Sequence, residues 1–89
     1  MGSFNGARSI LDLIGCTPAV KLKRLPARGD AEVWAKLESF NPGGSVKDRP
    51  ALNILQTALA NGDLGNGKRL LDSTSGNMGI SYATFGAAL

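Results

Sequence analysis

Lys47 is the residue whose type and position best suit it to do chemistry. It stands in Asn41-Pro42-Gly43-Gly44-Ser45-Val46-Lys47-Asp48-Arg49, a glycine turn that runs into helical spacing. A helix start carries positive potential from the backbone dipole. Positive potential disfavours an ammonium group, and burial would disfavour it further. A lysine made neutral in this way is a nucleophile towards carbonyls. A second segment has the same setting, after a strand-like run and before helical spacing: Thr74-Ser75-Gly76-Asn77-Met78-Gly79. It offers two hydroxyls, an amide and free backbone donors, a nest suited to a carboxylate or a phosphate. Asn77 would bond a phenolic or carbonyl oxygen of a second group. The bland alternatives stay open at this point. Ser, Thr, Asn and Gly are also what ordinary helix caps use, and a lysine is ordinarily a surface residue.

The elements that must position these two loops are readable in outline. Ser9 with Asp12 three residues on predicts a capped helical turn over Ser9–Ile14, broken by Gly15-Cys16-Thr17-Pro18. Ala19–Leu22 reads as a strand and Pro26–Asp30 as a turn. Glu32–Glu38 alternates, with Val33, Ala35 and Leu37 on one side, which predicts a half-buried strand pairing back on the first. After the loop, Ala51, Leu52, Ile54, Leu55, Ala58 and Leu59 form an apolar helical face that ends at Asn61-Gly62. Ser45 with Asp48 fits a capping box, with Asp48 itself as the alternative cap, and Pro50 must then lie in the first turn. Arg69–Asp72 reads as a short apolar strand, Ser73–Gly79 as a loop, and Ile80–Leu89 as an apolar helix of small residues. From Leu37 onward this order begins a βαβ arrangement, which requires further parallel strands.

The 89 residues are 43% hydrophobic and 19% charged, which is a globular composition with room for only a modest core. Ten basic and seven acidic residues give a net charge of +3. The basic residues are scattered apart from Lys21-Leu22-Lys23-Arg24, a solvated strand end with no interleaved aromatics to stack bases. Nucleic acid is therefore not an expected partner. One cysteine, Cys16, and no histidine exclude an internal disulfide and the usual zinc ligand sets. No run is long enough to span a membrane. Leu13-Ile14-Gly15-Cys16 superficially resembles a lipoprotein cleavage site, but Asp12 interrupts its apolar stretch. The expected compartment is the cytoplasm. Asn41–Lys47 lacks the glycine spacing of a nucleotide-binding P-loop, and Ser75–Gly79 lacks G-x-G-x-x-G.

Four motifs in order carry a family resemblance: Leu13-Ile14-Gly15-Cys16-Thr17-Pro18, Ala35-Lys36-Leu37-Glu38, Asn41–Arg49 and Thr74–Gly79. The chain from about Ile10 to Leu89 resembles the start of the cysteine synthase (O-acetylserine sulfhydrylase) and cystathionine β-synthase family. That resemblance implies a fold type II pyridoxal-phosphate enzyme, α/β with three αβα layers, of which these residues are the N-terminal segment. It implies that residues 18–38 pack with a larger domain and that 39–89 begin the smaller N-terminal domain. Lys47 aligns with the lysine that holds the cofactor as a Schiff base. Asn77 aligns with the asparagine that bonds the ring oxygen. Thr74, Ser75 and Gly76 align with the loop that grips the substrate carboxylate, and Asn77 and Met78 continue it.

The implied reaction is β-replacement on an O-activated serine by sulfide or another thiol, giving L-cysteine. Lys47 serves as anchor and as base for the Cα proton, and arginine, permanently charged, could do neither. Ser-Val-Lys-Asp-Arg points to a synthase, because deaminating dehydratases resemble it with Phe before the lysine. Met78 stands where the family usually has threonine, and Cys16 where it often has asparagine. The family's glycine-rich phosphate cradle and pyridine-nitrogen partner follow the matched region. The implied partners are therefore the remainder of the enzyme, an amino-acid substrate and sulfide, with a homodimer once complete. Two alternatives remain: a non-catalytic folding or interaction module derived from such an enzyme, and a cystathionine β-synthase.

Overall fold

The computed structural model describes residues 6–26, 29, 31–74 and 76–89. The Pro26–Asp30 turn predicted from sequence includes Ala27, Arg28 and Asp30, which lie outside the described residues, as do Met1–Asn5 of the polar start. Ser9 caps a 3-10 turn at Ile10–Leu13 through the expected reciprocal bonds with Asp12. Strand β1 (Ala19–Lys21) pairs antiparallel with β2 (Trp34–Lys36), with Val20 opposite Ala35. Bonds from Leu22 N–H to Val33 O and from Leu37 N–H to Pro18 O extend the ladder at both ends. The pairing is as predicted, and the half-burial is so in part: Ala35 and Leu37 are half-buried and Trp34, on the opposite side, is 57% exposed, but Val33, on the side of Ala35, is 43% exposed.

A second 3-10 turn at Glu38–Phe40 leads into the glycine loop and then into α1 (Asp48–Ala60). Pro50 falls in the first turn, where its missing N–H costs nothing. At the far end Gly62 has φ 76°, Asp63 N–H bonds Ala58 O at 2.8 Å and Gly62 N–H bonds Leu59 O. This is the glycine stop that Asn61-Gly62 announces. Helix α2 (Asn77–Ala88) packs on α1. Their contact buries Ala51, Leu55 and Phe85, with Leu11, Ile14, Leu64, Met78 and Tyr82 around them.

Three expectations are corrected. Arg69–Asp72 forms no strand and pairs with none among the described residues, and Leu71 is 95% exposed. A strand of a parallel ladder requires neighbours to bond with. The cap of α1 is Lys47, with no side-chain capping bond, rather than Ser45 or Asp48. Ser45 Oγ instead accepts Lys47 N–H at 3.2 Å, and the Asp48 carboxylate is turned elsewhere. Finally, α2 starts at Asn77 rather than at Ile80, so Asn77, Met78 and Gly79 form its first turn.

The described chain is elongated, 57 × 37 × 20 Å with a radius of gyration of 17.0 Å. A compact domain of this length would have a radius near ~12 Å. Leu25 and Phe40 are exposed along with Leu71 and Trp34.

Candidate active site

The loop that carries Lys47 is held by side chains on both of its flanks. Asn41 is buried, and its Oδ1 accepts Gly15 N–H at 2.8 Å. Its Nδ2 donates towards Glu38 O at 2.9 Å and Ser45 O at 3.0 Å, with Glu38 Oε1 at 3.2 Å. Glu38 in turn accepts from Thr17 Oγ1 at 2.5 Å and from Arg49 Nη2 at 3.1 Å, with Arg49 Nε also bound to it. The Arg49 guanidinium first, and the Thr17 hydroxyl second, hold the Glu38 carboxyl down at about 2. Arg49 Nη2 also reaches Gly15 O at 3.2 Å. Gly15 has φ 82°, a backbone that favours glycine, and a Cβ there would lie 2.9 Å from Arg49 Nη1 and displace the guanidinium.

Lys47 sits at the N-cap of α1 with αR backbone (φ −65°, ψ −17°), at the helix start as predicted. Its side chain is exposed, so burial adds nothing to the effect of the helix start in the chain as described. Asp48, the next residue, is fully buried. Its Oδ2 accepts Gly43 N–H at 2.6 Å, and its Oδ1 accepts Ser81 Oγ–H at 2.7 Å. Ser81 Oγ is also 3.0 Å from the Asn77 carbonyl oxygen. The starts of the two helices are therefore joined through Asp48 and Ser81.

The second loop is partly consumed by capping. Thr74 Oγ1 accepts Gly76 N–H and Gly79 N–H, both at 3.1 Å. Its single proton remains available to donate. Gly79 lies close against Thr74, since a Cβ there would lie 2.8 Å from the Thr74 methyl carbon Cγ2. Gly76 has φ 142°, with open space around its absent side chain. Asn77 is exposed, and the Asn77 and Met78 N–H groups lie in the first turn, where no acceptor exists within the helix. The Met78 side chain is half-buried against the Ala51–Leu55–Phe85 cluster. Ser75 lies outside the described residues.

The donor set fits one part of a cofactor and substrate pair: an exposed amine, an amide, a hydroxyl proton and first-turn N–H groups for an anion. Sequence reasoning passed over Glu38, Asn41 and Ser81 and treated Asp48 only as a cap. A lone serine inside an apolar helix, four residues after Asn77, was the available signal. Among the described residues no group of His, Cys, Asp and Glu forms a metal cluster, and no helix is long and apolar enough to cross a membrane.

Residues 10–89 match the family described as pyridoxal-phosphate dependent enzyme. The chain belongs to this pyridoxal-phosphate-dependent family. It is 57% identical over 84 residues to the cysteine synthase of Aquifex aeolicus (strain VF5), covering 91% of this chain and 26% of that protein. It is 52% identical over 80 residues to the O-ureido-L-serine synthase of Streptomyces lavendulae, covering 90% of this chain and 24% of the relative. The solved O-acetylserine dependent cystathionine β-synthase from Helicobacter pylori superposes with a TM-score of 0.84 at 31% identity, over 94% of this chain and 28% of that one. The chain thus has the fold of the N-terminal part of a fold type II enzyme, and it spans about a quarter of the length of the curated relatives it matches. Those relatives are cysteine synthase and related synthases that share the cofactor.

Proposed function

We propose that these residues supply the cofactor lysine and the substrate-carboxylate loop of a β-replacing synthase, which acts on an O-activated serine and a sulfur nucleophile to give L-cysteine. The rest of the enzyme completes the site. The observation that carries this reading is the Asp48–Ser81 bond, which ties the start of α1, with Lys47 beside it, to the start of α2, with Asn77. Pyridoxal phosphate, when bound, withdraws electrons from Cα of an attached amino acid and so makes its proton removable.

The chain's own residues do the rest. The Lys47 amine anchors the cofactor and, once freed by the incoming amino acid, accepts the Cα proton at Nζ. Asn77 donates its side-chain amide to a cofactor oxygen. The Thr74 hydroxyl proton, Ser75, Gly76 and the first-turn N–H groups of Asn77 and Met78 hold the substrate carboxylate. At Met78 only the backbone takes part, because the thioether packs into the core. Residues 18–38 pack against the larger domain, and residues 39–89 open the smaller one.

The test is a chimera in which residues 10–89 replace the matched quarter of the Aquifex aeolicus relative. It is expected to develop a visible cofactor band and to make cysteine from O-acetylserine and sulfide. Lys47→Ala is expected to lose both, and persistence of the band in that variant removes Lys47 from the mechanism.

The uncovered apolar side chains, Leu25, Phe40 and Leu71 among them, favour a second reading, a non-catalytic module that binds a partner. A chimera that assembles but takes up no cofactor would support it. The likeness to the Helicobacter pylori enzyme keeps a cystathionine-forming variant in view. Product analysis with sulfide and homocysteine offered together separates the two.

A further inference from the structure

Asp48 is the one buried carboxylate among the described residues, and it neither binds nor transfers a proton in the chemistry above. It makes no ion pair among those residues. A carboxylate taken out of water is costly unless its oxygens are hydrogen-bonded. Here both are: Oδ2 by the Gly43 N–H at 2.6 Å and Oδ1 by the Ser81 hydroxyl at 2.7 Å. The fit is close, since a Cβ on Gly43 would lie 2.2 Å from Asp48 Oδ1. Ser81 is itself fully buried, and its hydroxyl also reaches the carbonyl of Asn77. A buried aspartate and serine would be cheaper as apolar residues if they served packing alone. What the pair does is fix three things together: the glycine loop before Lys47, the first residue of α1 after it, and the first turn of α2.

We infer that Asp48 and Ser81 are positioning residues for Lys47. They form a clasp that sets the lysine backbone against Asn77, so that the amine meets the cofactor carbonyl in a competent orientation. This rests on Lys47 being the cofactor lysine. Loss of the Ser81 hydroxyl leaves Lys47 chemically intact but releases α2 from the loop.

The test uses the completed enzyme, stripped of cofactor and mixed with pyridoxal phosphate, and reads the rate at which the visible band appears. Removing one hydrogen bond to a charged group predicts that Ser81→Ala slows this rate about tenfold. Ser81→Cys keeps the size but offers only a weak donor, so it slows the rate while preserving the fold. Ser81→Thr keeps the hydroxyl and restores most of the wild-type rate. Exchange of the Gly43 amide, followed without cofactor, is about tenfold faster in Asp48→Ala, which removes its acceptor. A wild-type rate in Ser81→Ala and Ser81→Cys, with or without a lower melting temperature, overturns the clasp while leaving the Lys47 assignment standing. A band that persists in Lys47→Ala overturns the assignment instead, and with it the role of the clasp in cofactor capture. The exchange measurement then reports whether the link between the loops exists.

Discussion

Arg49 Nη2 lies 3.1 Å from Glu38 Oε2, so the second residue after Lys47 is tied to the 3-10 turn that precedes the glycine loop. The loop between them is closed at its base by this pair and by Asn41 inside it. Arginine suits the place because its planar fork reaches two acceptors, the Glu38 carboxylate and the Gly15 carbonyl. Arg49→Lys keeps the charge and loses the fork. It is expected to lower the melting temperature and to speed exchange of the Gly15 and Asn41 amides.

The same pair predicts an acid sensitivity. Glu38 titrates at about 2 in the folded chain, against an ordinary value of 4.5. The unfolded chain therefore binds this proton more readily than the folded one. The stabilisation is complete above about 4.5 and is lost as pH falls through about 2. Melting temperatures measured across that window should fall on acidification, and Glu38→Gln should flatten the slope while lowering the midpoint at neutral pH. An unchanged slope in Glu38→Gln would mean that other carboxylates carry the effect.

Asn41→Ala is expected to be the most damaging change within the loop itself. It leaves the half-buried Gly15 N–H without its acceptor and the Ser45 carbonyl with only the longer bond from Asp48 N–H. A donor orphaned away from water costs about 1–3 kcal/mol. Chemical denaturation should show a loss in that range or above, with Lys47 still present but the cofactor band reduced.

Met78→Thr separates packing from binding. The thioether leaves the cluster of Ala51, Leu55 and Phe85, which costs about 1–2 kcal/mol for a partly buried side chain. The backbone N–H in the first turn of α2 is unchanged. Substrate KM is therefore expected to stay within about threefold while stability falls. A large gain in affinity would assign the threonine hydroxyl a role that the methionine chain lacks.

Local signals were legible wherever a short stretch decides its own structure. Ser9 and Asp12, the β1–β2 pairing, Asn61-Gly62 and the position of Lys47 at a helix start all follow from neighbours in sequence. What could not be read depends on distant partners. Arg69–Asp72 has strand composition but no strand to pair with among the described residues. Ser45–Asp48 has the spacing of a capping box, yet the Asp48 carboxylate bonds Ser81, 33 positions away. Periodicity carries no information about that contact. It also could not show that Asn77 and Met78 belong to a helix, because the capping hydroxyl comes from Thr74, outside the usual N-cap position.

The last prediction contrasts one buried leucine with one exposed leucine. Leu55 belongs to a core of three fully buried apolar side chains, with Ala51 and Phe85. Truncating it to alanine costs about 2–5 kcal/mol, comparable to the whole stability of a small domain. Leu55→Ala should therefore abolish cooperative unfolding of the chain on its own. Leu71, 95% exposed, contacts nothing that a charge would disturb. Leu71→Asp should leave the stability of the isolated chain within about 0.5 kcal/mol. In the chimera the same change places a carboxylate in a segment of strand composition that the remaining sheet is expected to cover, so assembly and the cofactor band should be lost. Melting curves of the chain alone, paired with sedimentation and absorbance of the chimera, distinguish the two leucines. Equal behaviour of Leu71→Asp and wild type in the chimera would show that this segment stays uncovered and that the sheet is completed elsewhere.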